Sequence, residues 1–199
     1  LLEAFRPEIS RRTLGYTAMA GTALALVLLP ACGTQLPAFM QPWHQIDTLA
    51  LFYKGFALVI TLLVLWLTLE CAPYLTRFTL DGKLAEMFSL PLIVCAGMMW
   101  MASARDLVTV FICLELVTIS FYVLVAFARK SALSLEAGVK YLILGALSTG
   151  VLVYGIAWIY GSTGSMNFDA IGKALGNPAT SKSAALFGAA MLLVGLGFK

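Results

Sequence analysis

The chain has 199 residues, of which 61% are hydrophobic and only 12% charged, with a formal net charge of +3 and a mean hydropathy of +0.93. Soluble domains carry roughly 25% charged residues, so a soluble enzyme is excluded, and no basic cluster interleaves with exposed aromatics as on a nucleic-acid face. Apolar runs of about 20 residues, enough to cross a hydrocarbon core, recur along the chain, which a secretory signal does not account for.

The expectation is an all-α polytopic transmembrane bundle of about six spans. The first span is predicted over residues 13–30, preceded by Arg11 and Arg12, and a loop containing Pro, Gly and Gln follows over 31–45. The second covers 48–69, with Lys54 near its start and Glu70 and Pro73 marking its end. The third, 87–104, contains Pro91, tolerable where neighbouring groups satisfy the freed carbonyl. Arg105 and Asp106 make a very short turn, so spans three and four are expected to be antiparallel neighbours, with Asp106 capping the fourth helix and facing Arg105. The fourth span runs over 107–128 and the fifth over 135–160, after Arg129 and Lys130. Gly161 to Lys182 reads as a polar connection, with Gly-Ser-Thr-Gly and Asn-Pro turn signals. The sixth span opens at Ser183 and covers 183–199. With no initiator Met, and with Lys199 inside an apolar run, the sequence reads as a fragment forming a single transmembrane domain.

Loop arginines and lysines set the expected orientation. Arg6, Arg11, Arg12, Arg77, Lys83, Arg129 and Lys130 fall on one side, against Arg105, Lys173 and Lys182 on the other; Lys54, Lys140 and Lys199 lie within spans. Seven against three places the N-terminal end of this chain in the cytoplasm.

Glu115 is the sharpest candidate for chemistry. Eight uncharged residues precede it from Leu107 and thirteen follow it to Ala128, so no interface is within snorkelling reach. A central charge costs about 2.5–3.5 kcal/mol on insertion scales, tolerable when the side chain faces a bundle interior, pairs with a cation or is neutral. A protonated glutamate bonded to one neighbouring helix is the plain alternative. Lys199 follows sixteen uncharged residues from Ser183, roughly 24 Å of helix. It either snorkels at a helix end or sits at a buried ion site, and Gly195 and Gly197 would permit an unwound stretch there. Lys140 follows Glu136 at the i,i+4 spacing of a helical ion pair, near the cytoplasmic entrance, where an interfacial anchor is the competing role.

Other residues fit structural roles. Gly145 with Thr149, and Ala146 with Gly150, have small-xxx-small spacing, which predicts close helix contact. Trp43, Trp100, Trp158, Tyr160 and Phe168 lie near the expected interfaces. Cys32, Cys71, Cys95 and Cys113 form no Cys-x-x-Cys pair, and buried thiols usually act as small hydrophobes. His44 is the single histidine and cannot supply both axial ligands of a b-type haem. No phosphate loop, metal-spaced cluster or nucleophile–base pair is present. Movement of a proton or cation through a water-poor bundle remains.

Residues 134–148 (Ser-Leu-Glu-Ala-Gly-Val-Lys-Tyr-Leu-Ile-Leu-Gly-Ala-Leu-Ser), Leu152-Val-Tyr-Gly-Ile156 and Tyr160-Gly-Ser-Thr-Gly164 resemble the antiporter-like membrane subunits of bacterial NADH-quinone oxidoreductase, respiratory complex I, in their subunit N branch. Phe111-Ile-Cys-Leu-Glu115-Leu resembles the fifth-helix glutamate motif of that branch, and Val194-Gly-Leu-Gly-Phe-Lys199 the start of its seventh-helix lysine motif. The likeness is strong over 107–160 and 191–199 and weak in the first 80 residues. The resemblance implies a fourteen-helix antiporter-like fold, of which this chain would hold the second through seventh helices, in a bacterial inner membrane. It makes Glu115 and Lys199 the interacting pair that governs proton loading, with Lys140 an accessory charge on the path. It implies no cofactor in this chain, with NADH, FMN, iron–sulphur clusters and quinone in partner subunits. The implied partners are neighbouring antiporter-like subunits, small helical subunits and the lipid bilayer. The family also includes multisubunit sodium/proton antiporters, the alternative function. Where subunit L has an Asn-Arg-x-Gly-Asp run, this chain has Gly145-Ala-Leu-Ser-Thr149, which argues for the N branch.

Overall fold

The computed structural model describes residues 11–31, 37–78, 84–178 and 180–199. Arg6, Cys32 and Lys83 lie outside the described residues. The described residues form seven α-helices: α1 (Arg11–Leu28), α2 (Thr48–Leu75), α3 (Ala85–Met101), α4 (Leu107–Val125), α5 (Ala132–Thr163), α6 (Phe168–Leu175) and α7 (Lys182–Phe198). Among them no strand forms. α1, α2, α4 and α5 are long and apolar enough to cross a membrane. α3 and α7 have 17 residues each, about 26 Å at 1.5 Å per residue and at the short end of spanning lengths.

Helix ends differ from expectation where capping outweighs composition. Asp47 accepts from the Ala50 N–H at 2.7 Å and starts α2. That helix continues past Glu70 and Pro73 to Leu75. A proline in the last turn removes one backbone donor but leaves little helix downstream to disrupt. α5 starts at Ala132, capped by Ser131, and runs through Gly161-Ser-Thr163 before Gly164 stops it at φ 72°. Its 32 residues extend about 48 Å, well beyond a 30 Å core, so it tilts or protrudes. The connection that follows is not all loop. Asn167 accepts from the N–H groups of Asp169 and Ala170 and caps the eight-residue helix α6.

The loops at one end are stitched together. Gln45 N–H donates to Ser103 O at 2.9 Å, Arg105 N–H to Trp43 O at 2.8 Å, Leu107 N–H to Met166 O at 3.0 Å and Phe168 N–H to Arg105 O at 3.0 Å. Asn167 Nδ2 donates to Pro42 O at 3.1 Å. Asp106 is buried and caps α4 through the Thr109 N–H at 2.8 Å. Arg105 turns instead to Asp169 of α6. His44, only 7% exposed, accepts from the Trp100 indole N–H. At the opposite end Arg129 Nη2 donates to both oxygens of Glu86 at 2.9 and 3.0 Å.

α5 and α7 pack backbone against backbone. A Cβ added at Gly155 would lie 2.8 Å from Gly188 O, one at Gly188 2.9 Å from Gly155 O, and one at Gly195 2.7 Å from the Leu152 Cβ. The small residues singled out in the sequence do other work. Gly145 makes room for the Tyr122 ring of α4, and a Cβ added at Gly150 would meet no neighbouring helix within 4 Å. Gly195 does not unwind α7, which stays helical through Phe198; its missing side chain admits α5. Overpacking such a contact costs about 1–3 kcal/mol. In the whole protein, Gly188→Ala should therefore lower the thermal midpoint and Gly188→Val should lower it further. An unchanged midpoint for the valine variant would contradict this packing.

Candidate functional site

Glu115 sits eight residues from the start of α4 and ten from its end, about 12 and 15 Å from the two mouths of the span. Thr149 and Ser148 occupy the middle of α5, so both belong to the same depth. Lys199 follows Phe198, the last residue of α7 described.

At this depth Lys199 Nζ donates to Glu115 Oε1, forming an ion pair. The lysine side chain is 4% exposed and the glutamate side chain 21%. Thr149 Oγ1 donates to the same Oε1 at 2.9 Å and lies 3.0 Å from Gly145 O. Ser148, the preceding residue, donates to Gly195 O at 2.8 Å, holding α7 one turn before Lys199. Adjacent residues of α5 thus touch both helices that carry the pair. Leu152, Ile156, Ile159 and Leu107, with Phe111, Leu114 and Leu192 against them, form the apolar cluster on one side. Apolar surroundings lower the local dielectric, strengthening the attraction and raising the cost of either charge alone.

The structure therefore brings Glu115 and Lys199 together and keeps Lys140 apart from them. Lys140 pairs with Glu136 on the surface of α5, with 69% of its side chain exposed on this chain. In the sequence Thr149 carries only small-xxx-small spacing, and Ser148 has no pattern of its own. Their signal was two hydroxyl residues in tandem within an apolar span. His44 lies in a loop between α1 and α2, yet it is buried with its Nδ1 unpartnered. Among the described residues no three His, Cys, Asp or Glu side chains converge, and the free Cys71, Cys95 and Cys113 are on separate helices.

Residues 104–199, which contain the pair, match the family model described as NADH:quinone oxidoreductase/Mrp antiporter, TM. NADH-quinone oxidoreductase subunit N of Desulfitobacterium hafniense is 42% identical over 162 residues, 81% of this chain and 31% of the relative. Subunit N of Desulforamulus reducens is 36% identical over 97% of this chain and 39% of the relative. Among solved structures, respiratory complex I from Thermus thermophilus with bound aureothin superposes with a TM-score of 0.73 at 28% identity, covering 98% of this chain and 40% of that one. A membrane-bound sulfane sulfur reductase, an archaeal respiratory membrane complex, has a TM-score of 0.69 at 23% identity and so shares the fold, over 92% of this chain and 37% of that one. The chain spans 31% and 39% of the length of the two relatives. On these matches residues 104–199 carry the membrane domain described as NADH:quinone oxidoreductase/Mrp antiporter, and the chain is similar over most of its length to subunit N of NADH-quinone oxidoreductases.

Proposed function

We propose that this chain is part of a proton-translocating, non-redox membrane subunit of NADH-quinone oxidoreductase, and that Glu115 and Lys199 load and release the proton. The observation that carries this reading is the ion pair held at mid-depth between α4 and α7. Close together, the two groups support each other's charge. Drawn apart in a low-dielectric interior, each is driven toward its neutral form. A lysine that loses its carboxylate partner gives up a proton, the elementary act of a pump. NADH oxidation, FMN, the iron–sulphur clusters and quinone reduction belong, in this reading, to partner subunits. The chain would lie in a bacterial inner membrane beside other antiporter-like and small helical subunits.

The test is partnership and ion dependence. The whole protein should purify with flavin and iron–sulphur subunits, and NADH oxidation in vesicles should move protons without sodium. Purification without those subunits, together with sodium-driven proton exchange, would instead support a cation/proton antiporter.

Orientation and Lys140 give two further tests. In a cysteine-free background, Lys130→Cys and Lys173→Cys should react with an impermeant thiol reagent from opposite sides, position 130 from the cytoplasm; labelling of both from one side would overturn the arrangement. Lys140→Ala should slow pumping by less than about fivefold, because an exposed ion pair is worth at most about 1 kcal/mol. Wild-type pumping with normal assembly would make Lys140 an interfacial anchor.

A further inference from the structure

We infer that Thr149 is a positioning residue that serves Glu115 in both of its charge states, by reversing the direction of one hydrogen bond. The inference rests on the proposed role of the pair. Oγ1 of Thr149 stands 2.9 Å from Glu115 Oε1 and 3.0 Å from the carbonyl oxygen of Gly145, one turn back on its own helix. A hydroxyl has one proton to give and lone pairs to receive, and here two acceptors compete for that proton.

When Glu115 is a carboxylate, the hydroxyl proton points to Oε1, supplementing Lys199 on the same oxygen. When Glu115 takes a proton, Oε1–H becomes a donor and needs an acceptor. The hydroxyl proton then turns to Gly145 O, and the Thr149 oxygen accepts from the carboxylic acid. No bond to Thr149 hydrogen breaks; the added proton stays on Glu115 and only the hydroxyl rotates. Neither charge state is left with an unsatisfied buried group, which would otherwise cost as much as a lost hydrogen bond. A group limited to donation, or one limited to acceptance, would favour one state and trap the pair in it.

The surrounding packing suits this role. Gly145 has no side chain, and the Tyr122 ring fills the space a Cβ would take. Tyr122 packs edge to face on Tyr141 at a centroid separation of 4.8 Å, which holds that ring. Ser148 cannot replace Thr149, because its hydroxyl is committed to Gly195 O.

The experiment compares Thr149→Val, Thr149→Ser and Glu115→Gln in the intact complex. Proton pumping per NADH oxidised is measured alongside the infrared carboxylic-acid band that Glu115→Gln removes. Valine keeps the branched shape and removes the hydroxyl; serine keeps the hydroxyl and loses a methyl. Thr149→Val should slow pumping about tenfold and move the Glu115 band, and Thr149→Ser should restore both to near wild type. Equal impairment of the serine and valine variants would overturn the inference, since shape would then be what matters. Wild-type pumping with an unmoved band in Thr149→Val would overturn it too, while a deficient Glu115→Gln would leave the proposed function standing. Full pumping by Glu115→Gln would remove the role of the pair itself.

Discussion

Glu115→Gln should lower proton pumping on the order of a hundredfold while the complex still assembles. Glutamine has nearly the same shape, and its amide oxygen still accepts from Thr149, so packing among α4, α5 and α7 is kept. What disappears is the charge opposite Lys199, whose side chain is 4% exposed. Removing one partner of a buried pair costs about 3–5 kcal/mol, because the remaining charge has neither water nor a counter-ion. Without the carboxylate, Lys199 has no partner to part from and rejoin, which is the step the proposed cycle needs. Glu115→Asp keeps the charge and shortens the arm by one methylene, so its loss should be smaller, about tenfold or less. Pumping by both variants is measured as acidification of vesicles driven by NADH, with electron transfer to an artificial acceptor reported separately. Equal losses in the glutamine and aspartate variants would mean that reach, rather than charge, is what Lys199 requires.

Glu115 was legible in the sequence because a charge in the middle of an apolar span is costly and therefore conspicuous. Lys199 was half legible, since a lysine after sixteen uncharged residues fits both a snorkelling end and a buried site. Their meeting was not a matter of spacing. The two are 84 residues apart, and only the family resemblance paired them. The long helices followed from hydropathy, but their ends followed from caps that composition does not weigh: Ser131 and Gly164 lengthen α5 at both ends. The helix α6 was hidden by glycine and asparagine turn signals, although Asn167 was itself the cap. Gly155, Gly188 and Gly195 look like any glycines in a membrane helix until α5 and α7 are laid together. Spacing within one helix could not reveal a contact made between two. The pairing of His44 with Trp100 joins residues 56 positions apart, beyond the reach of any local pattern.

The double variant Glu115→Gln/Lys199→Ala should pump far better than the product of the two single losses would allow. Lys199→Ala leaves a carboxylate at mid-depth with only the Thr149 hydroxyl to support it. Glu115→Gln leaves an ammonium with no counter-charge. Each single change thus adds the penalty of an orphaned charge to the loss of the pair. The double change removes both charges, and with them the orphan penalty, so the second substitution should add little further damage. Residues joined in one ion pair show interaction energies of about 0.5–3 kcal/mol in such cycles, equivalent to about twofold to more than a hundredfold in rate. A pair whose lysine side chain is 4% exposed belongs at the upper end of that range. The same cycle run on the thermal stability of the assembled complex should show a coupling of the same sign, because the orphan penalty is an energy of the folded state before it is a defect in pumping. Strictly multiplicative losses in pumping, with assembly intact, would mean that Glu115 and Lys199 act on separate steps and that their contact in the structure is not what couples them.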